Sequence, residues 1–304
     1  MIQVTMPSNI ALIKYMGKNP DRLPINASLS WTLPHLYSTL TFEPAQQDDL
    51  ITNVTLKPGG KQNFLKHFQW LKKILNITQS FHIHSENNFP SGTGIASSAS
   101  SYSALTQGAY LISQTLKTHP PLTTQSIAQL SAKGSGSSIR SFYSPYSIWT
   151  EEGAKAIGEH WPKLESCVAI IDPEHKKISS SEAHQRVMSC TDIHERVQRA
   201  NARLDQLMMA FNNGDWASLY HICKDEFLDM HHLFHTCHQP FRYITPHSQS
   251  LIHYADGLNK KGIKLIMTMD AGANVHFLYP TESISDIQAL AHQFTECSWR
   301  FSHV

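Results

Sequence analysis

Four short segments of this 304-residue chain combine residue types that bind anions or carry protons. In the first, small residues would let a phosphate approach the backbone, and N–H groups at the start of a following helix would point towards it. Serine hydroxyls can also bind a Mg²⁺ ion that the phosphate carries. No Lys follows the second Gly, so this is not a P-loop, and a turn that only caps a helix is the alternative. The segment, residues 90–99, contains Gly92, Gly94, Ala96, Ser97 and Ser98.

The second segment, residues 134–140, reads Gly-Ser-Gly-Ser-Ser-Ile-Arg and ends in Arg140. It again combines backbone N–H groups with hydroxyls, and it adds a guanidinium group that we predict to lie one turn into a helix. Arginine donates two parallel hydrogen bonds to a carboxylate or a phosphate, so the segment can bind either anion. A capped helix with a surface arginine is the alternative.

The third and fourth segments supply a carboxylate and a lysine. Asp270 begins an Asp-Ala-Gly-Ala-Asn turn between two apolar strands. It is either a catalytic carboxylate on a rigid element or a residue that bonds its own backbone. Lys14 lies within an apolar strand, where burial of its ammonium group would need an anionic partner. With Tyr15, Lys18 and Asn26 it could bind an anion, or its side chain could reach water at the strand edge.

Hydrophobic periodicity predicts helices and strands along the whole chain. Phe64, Phe68, Leu71 and Leu75 recur at helical spacing and predict an amphipathic helix. The predicted strands are residues 1–6, 36–43, 51–56, 80–84, 167–171, 264–269 and 275–279. The predicted helices are residues 64–75, a stretch from about 98 to 116, most of 190–237, 247–259 and 283–296. We therefore expect two α/β lobes, with a boundary near residues 155–185.

Composition excludes several classes of protein. The 25 Lys and Arg residues nearly balance the 24 Asp and Glu residues, and a formal net charge of +1 is not that of a dedicated nucleic-acid binder. No apolar run approaches the ~20 residues of a membrane-spanning helix, and the N-terminus does not resemble a signal peptide, so we expect no membrane partner. Five cysteines without a CxxC pair indicate a reduced, cytoplasmic protein.

Taken together and in this order, the segments resemble the GHMP kinase superfamily and, within it, the mevalonate diphosphate decarboxylase family. That family shows NIAxxKYWGK and LPxNxSxSxTL near its start, then PTAAGLASSAS, GSGSxxRS and DAGPN. The corresponding segments here are residues 9–18, 23–33, 90–100, 134–141 and 270–274. This chain departs from the family where Met16 replaces a Trp, Ala273 replaces a Pro, and Ala183-His184 replaces the Gly-Met of an SSTxGM segment.

The resemblance implies an α+β protein of two α/β lobes, with a GHMP kinase-like fold and an active site in the cleft between the lobes. Residues 1–170 would form the nucleotide- and phosphate-binding lobe, and residues 171–304 the lobe that supplies the aspartate turn. The implied reaction is ATP-dependent decarboxylation of mevalonate 5-diphosphate to isopentenyl diphosphate, with Mg²⁺, in a cytoplasmic homodimer. A GHMP-fold kinase that releases no CO₂, a decarboxylase of the 5-monophosphate, and a non-catalytic relative are the alternatives.

The resemblance also implies roles for single residues. Asp270 is expected to take the proton of the substrate 3-hydroxyl group, Lys14 to pair with Asp270, and Arg140 to hold the substrate carboxylate. The further substrate-binding residues are expected to be Tyr15, Lys18, Ser135, Ser137 and Ser180. The ATP phosphates are expected at Gly92, Gly94, Ala96, Ser97 and Ser98, with Ser98 on or near Mg²⁺.

A histidine-rich segment, residues 229–238, stands where the family has an Asn/His-containing helix. His231 and His235 share one helix face and Cys237 is close, which is compatible with a zinc site, although the spacing matches no standard one. A polar helix that faces a cleft or solvent is the alternative. The segment also contains His232 and His238.

Overall fold

The computed structural model describes residues 1–19, 23–53, 56, 58–89, 97–171 and 178–303. Contacts within the chain define two compact units. The first unit comprises Met1–Asn9 and Thr32–Ala156, and the second comprises Ile10–Trp31 and Ile157–Val304. The chain therefore enters the second unit early and returns to the first. The functional division into lobes at residue 170 stays a prediction.

Helices and strands both contribute substantially to the described residues, which confirms the α+β class. The strands are β1 (Ile2–Ile13), β2 (Ser28–Ala45), β3 (Asp49–Thr52), β4 (Ser80–Asn87), β5 (Tyr146–Thr150), β6 (Gly153–Ile157), β7 (Glu165–Ile170), β8 (Ile266–Thr268), β9 (Val275–Tyr279) and β10 (Ser298–Phe301). The α-helices are α1 (Gly60–Ile74), α2 (Ser97–Thr115), α3 (Thr124–Ala132), α4 (Ser180–Arg186), α5 (Ile193–Asn213), α6 (Trp216–Thr236), α7 (Pro246–Lys260) and α8 (Ile284–Gln293). Among these helices, none combines the length and the apolar character that crossing a membrane would require.

A six-stranded sheet runs in the order β3-β4-β2-β5-β6, and β1 pairs with β2. Strands β2 and β4 are antiparallel, whereas the short β3 is parallel to β4. Side chains alternate between the faces of a strand, and Leu40 and Phe42 of β2 share one buried face with Ile83 of β4. Phe68 and Leu71 of α1 pack against them. The predicted amphipathic helix is thereby confirmed, and it begins at Gly60.

A four-stranded antiparallel sheet in the second unit has the order β10-β7-β9-β8. Its core combines Tyr220 and Phe227 of α6, Leu251 of α7, Met267 of β8 and Phe277 of β9. Strand β8 ends at residue 268 and β9 begins at residue 275. The turn that contains Asp270 therefore connects two neighbouring, fully buried strands.

Several elements differ from the prediction. Strands β1 and β2 are much longer than predicted, and β5, β6 and β10 are not predicted at all. Strands β6 and β10 lie at sheet edges and have four or five residues each, so they carry little hydrophobic periodicity. Lys14 lies directly after the last residue of β1 rather than within the strand.

The Gly/Ser segment before Arg140 was predicted to begin a helix. Instead of an α-helix, the structure has a 3₁₀-helix at Gly136–Phe142. The hydroxyl of Ser138 donates to the carbonyl oxygen of Ser135 (2.6 Å), and its oxygen lies 2.8 Å from Ser131 Oγ. Serine side chains that bond to nearby backbone groups compete with helical hydrogen bonds, and glycine has a low helix propensity. The sequence of the segment therefore favours a short, tight turn.

Helix α2 approaches β2 closely at Gly108, where an added Cβ atom would lie 2.1 Å from Cε2 of Phe42. We predict that Gly108→Ala lowers the free energy of unfolding by about 1–3 kcal/mol, the usual cost of overpacking a core. Urea or guanidinium unfolding measures this change. Gly257→Ala is the matched control, because it also lies in a helix but has no atom within 4 Å of the added Cβ. Replacing glycine in a helix should stabilise that variant by about 0.5–1 kcal/mol, and equal effects in the two variants would contradict the packing argument.

Candidate functional site

A buried ion pair joins Lys14 to Asp270 within the second unit. Lys14 Nζ lies 2.7 Å from Asp270 Oδ1, and the side chains are 2% and 26% exposed, respectively. The ammonium group also donates to the carbonyl oxygen of Ala11 at 2.5 Å. Burial lowers the pKa of Lys14, and the Asp270 carboxylate opposes that shift because it stabilises the charged form. The Asp270 carboxylate is thus a proton acceptor that a ligand can reach, whereas the Lys14 ammonium group is a cation that a ligand cannot reach.

The backbone of Lys14 is fixed on both sides by buried side chains. Its N–H donates to Glu226 Oε1 of α6 (2.9 Å), and its carbonyl oxygen accepts from Asn26 Nδ2 (3.0 Å). Glu226 is itself fully buried and accepts from Arg196 Nη2 (2.5 Å) and Arg203 Nη1 (3.0 Å). Lys14 is therefore held by hydrogen bonds at its backbone as well as at its ammonium group.

The turn after β8 is fixed by hydrogen bonds to its backbone. His231 Nε2 donates to the carbonyl oxygen of Asp270 (3.1 Å), which also accepts from Gly272 N (2.8 Å). The Ser248 hydroxyl donates to the carbonyl oxygen of Ala273 (2.8 Å). Burial lowers the pKa of His231 to about 3, so the ring is neutral and the bond to Asp270 requires the proton on Nε2. These bonds restrict the orientation of the Asp270 carboxylate.

The histidine-rich segment does not form the metal site that its residue types could provide. The ranges that the structure describes contain no group of three His, Cys, Asp or Glu side chains arranged to hold a metal ion. His231 bonds to the aspartate turn, and the Cys237 thiol donates to the carbonyl oxygen of Gln239 at 3.1 Å. The remaining histidines lie on the exposed side of the segment, namely His232, His235 and His238.

The predicted diphosphate-binding residues Tyr15 and Lys18 lie on either side of Gly17, which has a φ of 95°. The Tyr15 ring stacks on His184 of α4 at 4.7 Å between ring centroids. His184 Nδ1 accepts a hydrogen bond from Gly17 N at 3.0 Å. A Cβ at Gly17 would lie 2.6 Å from Cδ1 of Ile25, so both the space and the backbone conformation favour glycine. His184, which sequence analysis treated only as a departure, therefore fixes this segment.

The predicted substrate residue Ser180 is the first residue of α4 and is exposed. It is Ser179 whose hydroxyl caps this helix, by accepting from Glu182 N at 3.1 Å. The Ser180 hydroxyl is thus not required for the cap. Its role in substrate binding stays a prediction.

Arg140 is buried in the first unit, where Asn9 of β1 orients it. The guanidinium Nε donates to Asn9 Oδ1 at 3.1 Å. The Asn9 amide donates to the Ser141 hydroxyl (2.8 Å) and to the carbonyl oxygen of Ser137 (3.1 Å). One asparagine therefore joins β1 to three residues of the 3₁₀-helix and fixes one edge of the guanidinium group.

Part of the predicted phosphate-binding loop meets the second Gly/Ser segment. Ser98, exposed near the start of α2, accepts a hydrogen bond from the Ser135 hydroxyl at 3.3 Å. Ser135 and Ser137 are themselves 3.4 Å apart at their hydroxyl oxygens. Ser97 is the first residue of α2. The predicted ATP-binding residues Gly92, Gly94 and Ala96 lie outside the described residues.

Sequence reasoning missed the residues that position Arg140 and Lys14, although each leaves a signal. Asn9 is a polar residue at the start of an apolar run. Glu226 lies three residues after Cys223 and four before Met230, on the buried face of α6. Arg196 similarly follows Ile193 on the buried face of α5. A charged residue on an apolar helix face indicates a buried ionic partner, because an unpaired charge there is costly.

Comparison with known proteins assigns the chain to a family. Residues 6–159 match the diphosphomevalonate decarboxylase-like N-terminal domain, and residues 166–303 match the mevalonate 5-diphosphate decarboxylase C-terminal domain. The diphosphomevalonate decarboxylase of Saccharomyces cerevisiae is 28% identical over 95% of this chain and 80% of its own length.

Solved structures agree with this assignment. A mevalonate diphosphate decarboxylase from Legionella pneumophila is 37% identical, with a TM-score of 0.91 over 98% of this chain and 99% of that one. A structure of MDDEF in complex with MVAPP, AMPPCP and magnesium is 26% identical, with a TM-score of 0.87 over 98% and 95%. Because the two domain models between them span nearly the whole sequence, this chain belongs to the diphosphomevalonate decarboxylase family.

Proposed function

We propose that this chain catalyses the ATP-dependent decarboxylation of mevalonate 5-diphosphate, which yields isopentenyl diphosphate, ADP, phosphate and CO₂ for isoprenoid biosynthesis. The observation that carries the proposal is the buried Lys14–Asp270 pair in a chain of this family. A carboxylate that is held in a rigid turn beside a cation, and that stays 26% exposed, is suited to accept a proton from a bound hydroxyl group.

The chemistry requires a better leaving group at C3 of the substrate. A tertiary alcohol leaves poorly, whereas its phosphate ester leaves well, so transfer of the ATP γ-phosphoryl group to the 3-hydroxyl precedes carbon–carbon cleavage. Asp270 accepts the hydroxyl proton, and the Lys14 ammonium reduces the negative charge around the transferred phosphoryl group. The 3-phosphate then departs, and the electron pair of the bond to the carboxylate forms the new double bond as CO₂ leaves.

In this proposal Arg140 holds the substrate carboxylate until it leaves. Its burial supports that role, because a desolvated guanidinium binds a carboxylate more strongly than an exposed one does. Asn9 at Nε orients the group. The other substrate-binding residues of the proposal are Tyr15, Lys18, Ser135, Ser137 and Ser180.

ATP and Mg²⁺ are the proposed co-substrate and metal ion. The Ser97–Ser98 start of α2 offers backbone N–H groups to phosphate oxygens. The exposed Ser98 hydroxyl is an oxygen ligand of the kind that Mg²⁺ prefers, and the phosphates and water would supply the others. When bound, Mg²⁺ neutralises phosphate charge. The loop at Gly92, Gly94 and Ala96 belongs to the same proposed site.

A cytoplasmic, homodimeric state is a further part of the proposal. All five cysteines are buried thiols, which suits a reducing compartment. The dimer is supported by the family resemblance, and light scattering of the purified protein tests it.

A joint measurement of CO₂ and ADP tests the proposed function. Purified protein with Mg-ATP and mevalonate 5-diphosphate should release both products in a one-to-one ratio. ADP without CO₂ would identify a kinase, and a preference for the 5-monophosphate would identify a decarboxylase of that substrate. No turnover of any of these substrates would identify a non-catalytic relative.

We predict that Asp270→Asn lowers turnover by at least ~100-fold, because removal of a general base typically costs that much. ATP binding should change little and the protein should still fold, but the free energy of unfolding should fall, because the buried Lys14 ammonium loses its ion-pair partner. Asp256→Asn is the matched control: its carboxylate is also 26% exposed and also pairs with a lysine, Lys224, at 2.6 Å. Turnover near the wild-type value in Asp270→Asn would show that the aspartate is structural.

For Arg140→Lys we predict a decrease in turnover of about ten- to a hundred-fold, although the charge is retained. An ammonium group cannot reproduce the two parallel hydrogen bonds of a guanidinium group. The loss of one charge-assisted bond costs roughly 1.5–3 kcal/mol, which corresponds to this range. Nucleotide affinity, measured in parallel, should stay the same. A variant that loses ATP affinity but decarboxylates normally would place Arg140 on the phosphates instead.

Metal removal gives another prediction. Treatment with a chelator should abolish turnover, and added Mg²⁺ should restore it, because the ion is proposed to arrive with ATP. Metal analysis of the untreated protein should find no stoichiometric zinc. Zinc that resists the chelator would show that the His231, His235 and Cys237 side chains, or others, form a metal site.

A further inference from the structure

A cluster of charged side chains connects helices α5 and α6 next to Lys14. We call it the arginine–carboxylate cluster, and its members are Arg196, Arg199, Arg203, Glu226 and Asp229. The cluster extends from Glu226 and Arg196, which are 0% and 2% exposed, to Arg199, which is 38% exposed. Its buried end therefore lies away from water. Charges interact more strongly there than in water.

The two carboxylates of the cluster have different partners. Glu226 Oε1 accepts from the backbone N–H of Lys14 (2.9 Å) and from Arg196, while Oε2 accepts from Arg203. Asp229 contacts the three arginines, at 3.5 Å from Arg196, 2.8 Å from Arg199 and 2.5 Å from Arg203. Within the part of the chain that the structure describes, Glu226 is the cluster carboxylate that bonds to Lys14.

Stability alone is a weak reason for such a buried ionic group. Buried ion pairs often contribute little net stability, because desolvation offsets their attraction. A neutral acceptor would satisfy the Lys14 N–H equally well. What a neutral acceptor cannot supply is negative charge close to a buried ammonium group.

The groups that face Lys14 come from several elements. Helix α6 contributes Cys223, Glu226 and His231, helix α5 contributes Arg196, and the β8–β9 turn contributes Asp270. Burial raises the pKa of the Cys223 thiol and lowers that of His231, so both are neutral. The negative charges beside Lys14 are then those of Asp270 and Glu226, and Arg196 opposes them.

We infer that Glu226 is a positioning residue that holds the backbone of Lys14 at the end of β1 and keeps its ammonium group charged beside Asp270. The inference rests on the proposed function for the catalytic role of Lys14. The two carboxylate oxygens of Glu226 thus connect Arg196 and Arg203 of α5 to Lys14.

Glu226→Gln tests the inference, with Asp229→Asn as the matched control. Glutamine keeps the size of the side chain and an oxygen that can accept from Lys14 N–H, but it removes the charge. Both variants remove one negative charge from the cluster, and both should lose stability to a similar extent. Only Glu226→Gln should shift the loss of kcat at high pH to a lower pH, by about one unit, because a nearby carboxylate raises the pKa of an ammonium group.

Above the wild-type midpoint of the high-pH limb, Glu226→Gln should show a kcat about tenfold lower than the wild type, as a one-unit shift implies. Its KM for mevalonate 5-diphosphate should be unchanged, because Glu226 does not touch the substrate in this proposal. Glu226→Asp, which keeps the charge, should restore the position of the high-pH limb. Identical pH profiles in Glu226→Gln, Asp229→Asn and the wild type would overturn the inference.

A measurement that needs no turnover separates the inference from the proposed function. In protein labelled with ¹⁵N-lysine, the Lys14 resonance can be assigned by its absence in Lys14→Met. Its titration midpoint should fall in Glu226→Gln and not in Asp229→Asn. If the wild type released no CO₂ but this shift were seen, the proposed function would fail while the coupling of Glu226 to Lys14 would stand.

If Glu226→Gln does not fold, the charge-balanced pair Glu226→Gln with Arg203→Met replaces it. This pair removes one charge of each sign from the cluster and leaves Arg196 beside Lys14. The Lys14 titration should still move to lower pH in this pair relative to Arg203→Met alone. An unchanged midpoint would contradict the inference as directly as in the single variant.

Discussion

The removal of the Lys14 ammonium group from water is the constraint on which the second unit depends. An unpaired charge at 2% exposure would cost several kcal/mol or lose its proton. Three separate elements reduce that cost: the end of β1 supplies the Ala11 carbonyl, the β8–β9 turn supplies Asp270, and α6 supplies Glu226. The positions of these elements relative to one another are therefore fixed by one cation, and a change in any of them alters its environment.

Arg140 in the first unit meets the same constraint in another way. Its guanidinium group stays charged at any accessible pH, so a neutral side chain such as Asn9 can bind it without any effect on its protonation. Asn9 orients Nε and simultaneously holds the 3₁₀-helix through Ser137 and Ser141. A lysine depends on neighbouring carboxylates to stay charged, whereas an arginine depends on its neighbours mainly for orientation.

Candidate site residues are easier to propose from the sequence than the residues that position them. Lys14, Arg140 and Asp270 occur in segments whose small residues and turn residues can be recognised from the sequence alone. Lys14 and Asp270 are indeed paired. The contacts of Glu226 and Asn9 span 212 and 131 residues of sequence, and no local pattern specifies such partners. A charged residue on an apolar face shows that a partner must exist, but not which residue it is.

The secondary-structure predictions also succeeded where the signal in the sequence is local and repeated, and failed where it is not. Helices with a long apolar stripe, such as α1, were predictable because the stripe repeats over several turns. Edge strands β6 and β10 were not, since half of each strand faces solvent and four or five residues hold too few repeats. The 3₁₀-helix that contains Arg140 was missed because its geometry depends on serine hydroxyls that bond to the backbone. Residue type permits that interaction but does not require it.

His231 shows why residue types near an active site need their surroundings before a role is assigned. With His235 on the same helix and Cys237 just after the helix end, the residue types are compatible with a metal site. Burial, however, holds the pKa of His231 at about 3, and its Nε2–H bonds to the Asp270 carbonyl. A charged ring at this position would repel Lys14, since the two cations destabilise each other. The neutral ring can fix the aspartate turn without that penalty. Burial therefore makes this histidine a neutral hydrogen-bond donor at any pH well above its pKa of about 3.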